Sequence, residues 1–559
     1  MDLKVKKEEE SDYLTRQVKE DWDNSVYGRS IATRFPSEPN GHLHIGSAYA
    51  IHINQSIASS FNGTFHLRFD DTNPLKEDIK YVDSIREDIE WLGLHPPVYF
   101  GSDYSERYYE AATTLILNGK AFVCDLTPEE MTVYRGTLTE PGTDSPYRNR
   151  SIEENLKIFE QMKNGFYPSS SKVLRAKIDM SSPNMNLRDP IIYRIIHAEH
   201  YRTKNDWCIY PMYDFAHPIQ DWIEGITHSL CSAEFKDHRP LYEWILSELQ
   251  APEPPKQREF GRLNLSGAVT SKRYLRELVE DGYVDGWDDP RLSTLKGLRR
   301  RGVTPEGIQR FLNEIGIFRQ NTTVDAALLD QCIRQDLEDR ALTRMAVLEP
   351  LKIIITNYPD QTTEMLELKN NESNEAMGSR EVAFSRVLYI EREDFMEVPV
   401  AGFHRLSPGK EVRLKGAYFI TCEQVVKDPS TGEVTELHCS YDPLTRSGSG
   451  FQARKVKSTI HWVSAEHGFA AEIHLYNPLL KDGVILSESD NCWEEIINPE
   501  SMVVKEAILE PCLKNIRADD KVQFIRHGYF CLDSKYAAED KPVFNRIVSL
   551  KDTWKKGKA

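Results

Sequence analysis

Arg34-Phe35-Pro36-Ser37-Glu38-Pro39-Asn40-Gly41-His42-Leu43-His44-Ile45-Gly46-Ser47 decides the fold of this chain. Ser30 to Phe35 is short and partly apolar, as a strand end is, and Pro36, Pro39, Asn40 and Gly41 are turn residues. From Leu43 the apolar residues recur at roughly helical spacing through Ile45, Ala48, Ile51 and Ile53. The stretch reads as strand, tight turn and helix start. Such a helix N-terminus presents unpaired backbone N–H groups and partial positive charge, which suits phosphate. The imidazole of His44 on the first turn adds a donor at the same place.

Outward from this stretch the pattern alternates. Thr64 to Phe69 reads as a strand, and Glu77 to Leu92 has helical spacing at Ile79, Val82, Ile85, Ile89 and Leu92, so residues 30–101 form a parallel α/β unit. Asp206 to Phe215 reads as another strand and His238 to Leu249 as a helix, so the same sheet is expected to resume there. Between them, residues 101–211 mix a helix, a Pro/Gly/Ser-rich region and short strands, the look of an insertion. Residues 263–340 are helical in style, with Thr304-Pro305-Glu306 as a helix opening. After 341, alternating segments such as Glu411 to Tyr418, Ile460 to Val463 and Ala471 to Leu475 are separated by turns such as Pro429-Ser430-Thr431-Gly432. That is all-β, and its length favours two barrels over one.

Bulk numbers exclude little. The 559 residues suggest three to five domains, and no apolar run is long enough to span a bilayer. Met1 to Glu10 is charged and lacks the apolar core of a signal peptide. The nine cysteines form no Cys-x-x-Cys pair, so reduced thiols in a cytoplasmic protein are the expectation. A net charge of -17 argues only superficially against nucleic acid, because local patches make phosphate contacts.

A second stretch, Val269-Thr270-Ser271-Lys272-Arg273, puts an ammonium on a loop where it can reach a developing negative charge. In this order the two stretches resemble the His-Ile-Gly-His and Lys-Met-Ser-Lys-Ser signatures of class I aminoacyl-tRNA synthetases. Leu67-Arg68-Phe69-Asp70-Asp71-Thr72-Asn73-Pro74, Tyr210-Pro211-Met212-Tyr213-Asp214-Phe215 and Glu224-Gly225-Ile226-Thr227-His228-Ser229-Leu230-Cys231 narrow the resemblance to the glutaminyl/glutamyl branch. Gly286-Trp287-Asp288-Asp289-Pro290-Arg291, Asn498-Pro499-Glu500-Ser501 and Gly528-Tyr529-Phe530-Cys531-Leu532-Asp533-Ser534 extend it over nearly the whole chain from about Val26. The chain is similar to the bacterial-type glutaminyl-tRNA synthetase family.

The resemblance implies an α/β Rossmann-like catalytic domain with an inserted acceptor-binding domain, a helical subdomain and two C-terminal β-barrels. The expected boundaries are a tail at 1–27, the catalytic domain at 28–100 and 212–262, the insertion at 101–211 and the helical subdomain at 263–340. The proximal barrel would take 341–356 and 468–551, the distal barrel 357–467, and a tail 552–559. The partners implied are glutamine, ATP and tRNA(Gln), with Mg2+ carried by ATP, no protein metal site and a monomeric enzyme. The reaction implied is attack of glutamine on ATP to give glutaminyl-adenylate, then transfer to the 2′-hydroxyl of the terminal adenosine.

By the resemblance, His44 holds the ATP phosphates and Lys272 stabilises the pentavalent phosphorus and leaving pyrophosphate. Glu38, Pro39, Asn40, Gly46, Ser47, Arg262, Leu263, Thr270 and Ser271 complete the ATP site. Glu38 also approaches the terminal adenosine. Both signatures depart from the class pattern, with Ser47 in place of the second histidine and Val269 in place of the first lysine. A hydroxyl cannot become cationic, so Ser47 is expected to contribute less than histidine or to leave its role to backbone N–H groups. His42 is turned to another face and does not replace it.

For the amino acid, Asp70 is implied to hold the α-ammonium and Tyr213 the side-chain amide, with His217 and Gln257 around it. Arg34 resembles the arginine that pairs with the α-carboxylate or orders that pocket. Cys231 stands where related glutamyl enzymes carry arginine, and a small neutral residue leaves a buried glutamate carboxylate unpaired. For tRNA, Leu138 resembles a leucine wedge at the first acceptor pair and Asp237 an acidic reader of acceptor pairs. Arg405, Arg413, Gln523 and Arg526 occupy positions like those that contact anticodon bases. The anticodon-reading arginine aligns to Thr343, so either Arg344 or Arg340 supplies that contact or the loop differs. The rivals are a glutamyl-tRNA synthetase of the same branch, a small-substrate nucleotidyltransferase and a non-catalytic tRNA-binding relative.

Overall fold

The structure, a computed structural model, describes residues 12–484, 486, 492–538 and 541–550. The expected tails at Met1–Glu10 and 552–559 lie outside the described residues. The rest of the expected 1–27 tail is not a tail. Tyr13–Asp23 is a helix, α1, with Asp12 as its N-cap and Leu14 and Val18 buried. Its Tyr13 hydroxyl donates to the Glu259 carbonyl at 2.7 Å. Leu14 and Val18 are four apart, so they share one helix face. The chain divides into two units, one made of residues up to Leu265 with Leu312–Val324, the other of Ser266–Phe311 with Asp325 onward. The helical stretch expected at 263–340 is thus divided between them.

In the first unit β1 (Ala32–Ser37) is buried on nearly every residue, as a central parallel strand must be. Helix α2 (Ile45–Ser60) carries the chain to β2 (Thr64–Phe69), and α3 (Ile79–Trp91) to β3 (Val98–Phe100). The three strands pair in parallel in the order β1-β2-β3. The insertion packs α4 (Ser105–Leu117) and a helix at Ile152–Lys163 against an antiparallel sheet of Ala121–Cys124, Val173–Ala176, Ile191–Ile195 and Ile209–Pro211. The strand expected at 206–215 therefore belongs to this sheet and stops at Pro211. Tyr213–Ile223 is instead a helix, and the parallel sheet resumes at His228–Ser232, paired in parallel with Lys256–Phe260. The Thr227 N–H donates to the Ala32 carbonyl at 3.0 Å, which sets this pair beside β1. The strand order is that of a doubly wound sheet, whose ligand crevice lies at the carboxyl ends of the strands where the order reverses. Those ends are Ser37, Phe69 and Ser232.

In the second unit two 7-stranded sheets follow one another. One runs Leu342–Arg344, Val522–Phe524, Gly528–Leu532, Val543–Val548, Phe469–Tyr476, Met502–Leu509 and Ala346–Val347. Its two edge strands flank Met345 in sequence, so one short segment supplies both edges and the sheet curls on itself. The other sheet repeats the device with Thr459–Ile460 and Val463–Ser464 as its edges. Closure of this kind removes exposed strand edges. Pro350–Ile355 pairs within this second sheet, so it is distal, not part of the proximal barrel as its position before 356 had suggested.

Candidate active site

The turn after β1 delivers His44 as N-cap of α2. Its Nδ1 accepts the Gly46 N–H at 3.1 Å, which places the ring proton on Nε2. The His44 N–H in turn donates to Ser47 Oγ at 3.3 Å, closing a capping box. Ser47 therefore has a local duty that explains why a hydroxyl stands there. His42 faces away, its Nδ1 at 2.6 Å from Ser84 Oγ and its ring against Tyr81. Before this helix, the Asn40 side chain donates to the exposed Glu38 carboxylate, and the Pro39 carbonyl accepts from the Asp78 N–H. Arg262 is exposed and bonds Glu234 at 3.0 Å, while Leu263 is buried with its carbonyl close to Gly46.

Gly46 has no room for a side chain, because a Cβ there would lie 2.9 Å from His44 Cε1 and 3.0 Å from Nδ1. Gly46→Ala is expected to swing the imidazole out of its cap. The helix gains about 1 kcal/mol from alanine and loses about as much with the cap, so the melting temperature should barely move. Activity should fall at least about tenfold through ATP handling. Thermal unfolding measured beside the ATP KM checks this, and wild-type ATP kinetics would remove His44 from the phosphate site.

Below the strand ends lies a buried charge ladder. Arg34, fully buried, donates to Asp221 at 2.8 Å, to the Leu230 carbonyl at 2.9 Å and to Ser229 Oγ at 2.8 Å. Arg68 lies 2.6 Å from Asp221 and 2.6 Å from Glu224. Burial pushes the Asp221 carboxyl up, but Arg34, Arg68 and His217 outweigh it and hold it well below the usual range. Arg34 thus lies beneath the pocket, engaged by the protein, which fits the ordering role better than direct pairing with a ligand carboxylate. Asp221 and Glu224 were missed from sequence. They follow Tyr213 and His217 on one helix at steps of four, four and three, a polar stripe that helical periodicity could have found.

Asp70 ends β2, its N–H donating to the Ser37 carbonyl at 3.0 Å. Its carboxyl has no hydrogen-bond partner among the described residues. Burial raises its pKa to about 7, with Arg68 and Arg34 opposing and Glu38 and Asp221 reinforcing. The next residue, Asp71, faces the insertion and accepts from the Ser102 N–H, the Ser102 hydroxyl and the Tyr201 hydroxyl at 2.7, 2.7 and 2.8 Å, fixing the strand end. The Tyr213 ring stacks on His217 at 4.9 Å, and burial, then Asp70, drives its hydroxyl pKa far up. Burial lowers the His217 pKa to about 3, so the ring is neutral. Its Nε2 faces an Arg34 N–H at 2.9 Å, which puts the proton on Nδ1, and Nδ1 is buried without a hydrogen-bond partner among the described residues. Tyr213, His217, Phe235, His238, Tyr242, Asp214 and Gln257 line one small cavity. Gln257 Nε2 donates to the Phe235 carbonyl at 2.9 Å. Cys231 is 7% exposed, and burial pushes its thiol up, so it is neutral.

Lys272 opens a helix, Lys272–Glu280, in the second unit, directly after Thr270 and Ser271. Val269 is buried with Leu275, Leu278, Leu292, Leu480 and Trp493, and its carbonyl accepts from Ser293 Oγ at 2.7 Å. A lysine at 269 would bury its charge in this apolar cluster, which accounts for that departure.

Leu138 is 81% exposed, and Asp237 is exposed with its carbonyl held by Asn184 at 2.8 Å and Asn186 at 3.2 Å. Several arginines expected at the anticodon surface are otherwise engaged. Arg344 is buried and donates to the Thr343 carbonyl and Asn370 Oδ1, both at 2.9 Å. Arg340 pairs with Asp336 at 2.9 Å and Glu306 at 3.3 Å. Arg526 binds the buried Asp394 at 2.6 Å, and Arg405 lies 3.3 Å from the same carboxylate. Arg413 sits over the Phe419 ring at 4.5 Å and bonds Ser447 at 3.1 Å. Thr343 lies directly opposite Gln523, hydroxyl to amide oxygen at 3.3 Å.

Residues 30–339 match the family description "tRNA synthetases class I (E and Q), catalytic domain", and 341–442 and 459–533 match its two anti-codon binding domains. The chain is 54% identical to a glutamine–tRNA ligase of Clostridium perfringens, over 98% of this chain and 99% of that one. It is 55% identical to that of Clostridioides difficile, covering 95% and 96% of the two chains. For that of Pseudomonas aeruginosa the figures are 51% identity and 98% of each. With a doubly wound catalytic sheet, a histidine-capped helix at its crevice and two barrel-like C-terminal sheets, the chain belongs to the glutamine–tRNA ligase family of class I (E and Q) tRNA synthetases.

Proposed function

We propose that this protein activates glutamine with ATP, taken as its magnesium complex, and transfers it to the 2′-hydroxyl of the terminal adenosine of tRNA(Gln). A carboxylate oxygen of glutamine attacks the α-phosphorus, forming the mixed anhydride and expelling pyrophosphate. The 2′-oxygen then attacks the carbonyl carbon, the hydroxyl proton leaves and AMP departs. No side chain need form a covalent intermediate. Catalysis rests on positioning and on stabilising charge as it develops.

In this reading the His44 Nε2–H and the first turn of α2 hold phosphate oxygens, with Glu38, Pro39, Asn40, Gly46, Ser47, Arg262 and Leu263 shaping the nucleotide site. Lys272, with Thr270 and Ser271, meets the charge on the pyrophosphate side. Asp70 takes the α-ammonium, the Tyr213 hydroxyl and His217 Nδ1–H face the side-chain amide, and Gln257 and Cys231 close the wall. Arg34 orders the pocket. Leu138 and Asp237 meet the acceptor end. Gln523 with Thr343, together with Arg413, is the better supported part of the anticodon surface, and Arg344, Arg405 and Arg526 would have to leave their partners to join it.

The observation that carries the choice of glutamine is charge. Tyr213, His217 and Gln257 of the cavity lining and the nearby Cys231 are neutral, His238 lies 2.8 Å from the Asp214 carboxylate, and Arg34 and Arg68 are matched by Asp221 and Glu224. A glutamate carboxylate would be buried there without a counter-ion, a cost of several kcal/mol, about 10²-fold or more in selectivity. Amino-acid-dependent ATP–pyrophosphate exchange, with glutamine and glutamate separately and with and without tRNA, tests it. Glutamine-only exchange is expected. Exchange with glutamate would overturn the pocket argument, and exchange with neither would return the non-catalytic relative.

A further inference from the structure

Leu138 is the most exposed large apolar side chain among the described residues, at 81%, yet the loop carrying it is firmly held. The Thr137 N–H donates to the Glu140 carbonyl at 3.1 Å, and Thr137 Oγ1 accepts from the Glu140 N–H at 3.1 Å and the Thr139 N–H at 3.3 Å. Gly136 has φ +71°, and a Cβ there would lie 2.7 Å from both the Glu140 and Pro141 carbonyl oxygens. From inside, Arg188, 3% exposed, directs its Nη1 at the carbonyls of Arg135, Thr137 and Glu140 at 2.9, 2.8 and 2.9 Å. Its Nε donates to the Ser182 carbonyl at 2.7 Å.

The charge on this side chain has no directly bonded carboxylate among the described residues, although, after the Ser181 hydrogen bonds, it helps to hold the exposed Asp179 carboxyl below its ordinary range. Arg188 makes no ion pair among the described residues, nor do its neighbours Arg135 and Arg175. Arg135 donates to the Met185 carbonyl at 2.9 Å, and Arg175 to the Asp189 carbonyl at 2.7 Å with sulfur contacts to Cys124 and Met180. Burying a guanidinium against carbonyl dipoles alone stabilises a fold less than an apolar side chain of similar volume would. A rigid apolar tip beside three cations that make no ion pair among the described residues suits a partner that is at once an aromatic stack and a polyanion. The terminal base pair of a nucleic acid is such a partner.

We propose that Arg188 is a positioning residue for the acceptor end of the tRNA. It gathers the three carbonyls at the base of the tip and so holds Leu138 where it unstacks the first base pair. This rests on the reading of Leu138 as the acceptor-end wedge. Flexibility in the loop would let Leu138 move aside rather than part the pair, so the effect of Arg188 should depend on whether the pair is formed.

Aminoacylation by Arg188→Met, Gly136→Ala and Leu138→Ala is measured on tRNA with an intact first acceptor pair and on tRNA mismatched only there, beside thermal unfolding. Each variant should lower kcat/KM about tenfold or more on the paired tRNA and stay within about threefold of wild type on the mismatched one, since unstacking costs a few kcal/mol only where a pair exists. Gly136→Ala keeps the Arg188 side chain but displaces the Glu140 carbonyl that it holds, and so stands in if Arg188→Met does not fold. If Leu138→Ala shows this pattern and neither Arg188→Met nor Gly136→Ala does, the role given to Arg188 is wrong and the wedge stands. Equal losses on both tRNAs, in step with lost stability, would reduce Arg188 to scaffolding. No effect of Leu138→Ala on either tRNA would remove the wedge itself, and the inference with it.

Discussion

Changing Asp70 to asparagine is expected to lower kcat/KM for glutamine about 10²-fold or more while leaving the ATP KM near the wild-type value, because a buried charge partner is removed without a change of shape. The carboxyl is half-buried at the end of β2, has no hydrogen-bond partner among the described residues, and is raised to about 7 by burial first of all. A carboxylate so placed is uncomfortable until a cation arrives. An α-ammonium supplies both charge and hydrogen bonds, and its binding must pull the Asp70 pKa back down. By linkage, affinity for the amino acid falls as the pH drops below about 7, where a proton has to be displaced. The same shift has a consequence for stability with the opposite sense from an ordinary salt-bridged aspartate. The folded pKa lies above the unfolded one, so between the ordinary carboxyl value of 3.8 and about 7 the folded chain binds more protons and loses stability as the pH rises. Asp70→Asn should therefore melt higher than wild type at pH 8 and no higher at pH 4, and its kcat/KM for glutamine should lose the rise near pH 7. A variant with unchanged amino-acid kinetics, or a wild type with no such pH dependence, would place the ammonium elsewhere.

The parts of this site that could be read from sequence are those where local chemistry and global fold agree. The turn residues Pro36, Pro39, Asn40 and Gly41 and the periodic run from Leu43 give strand, turn and helix without reference to anything distant. Alternation after 341 gives a β-rich region, yet not its seams. Pro350–Ile355 alternates equally well in either barrel, and only long-range pairing assigns it to the distal one. The strand at Ile209–Pro211 was legible as a strand but not as a member of the insertion's antiparallel sheet, because pairing partners carry no local signal. Tyr213–Ile223 was obscured by Pro218 inside the helix, a residue that normally argues against one. The least legible feature is the charge ladder. Arg34, Arg68, Asp221 and Glu224 lie up to 190 positions apart in the chain, and nothing in a single sequence says that their charges neutralise one another. That neutrality decides the selectivity argument, and of the two roles open to Arg34 it favours ordering the pocket. The engagement of the barrel arginines was illegible for the same reason. An exposed arginine and one locked to Asp394 look identical in sequence.

Replacing Lys272 with alanine is expected to lower the rate of pyrophosphate exchange about 10²–10³-fold, some 3–4 kcal/mol of transition-state stabilisation, with little change in the KM for glutamine. Lys272 also sits where the helix macrodipole is unfavourable to a cation. Lys272 is the first residue of its helix, Arg273 is the second, and the first turn carries no acidic residue. Cations at a helix N-terminus oppose the macrodipole, at a cost of a few tenths of a kcal/mol to about 1 kcal/mol each. Arg273 offsets its share through Glu277, four residues on, at 2.9 Å. The macrodipole taken by itself would favour an aspartate or glutamate at 272. The variant should keep a melting temperature close to that of wild type while catalysis collapses. The loop's root argues the same way. Val269 is fixed in the apolar cluster and by Ser293, so the chain leaves the core at a defined point and presents Thr270, Ser271 and Lys272 in succession. Single-turnover formation of the adenylate, measured at saturating ATP and glutamine with tRNA present, separates chemistry from binding. A loss confined to ATP affinity would make Lys272 a ground-state phosphate contact. A lowered melting temperature in step with the lost activity would make it part of the scaffold, and either result would shift the burden of stabilising the leaving pyrophosphate onto His44 and the first turn of α2.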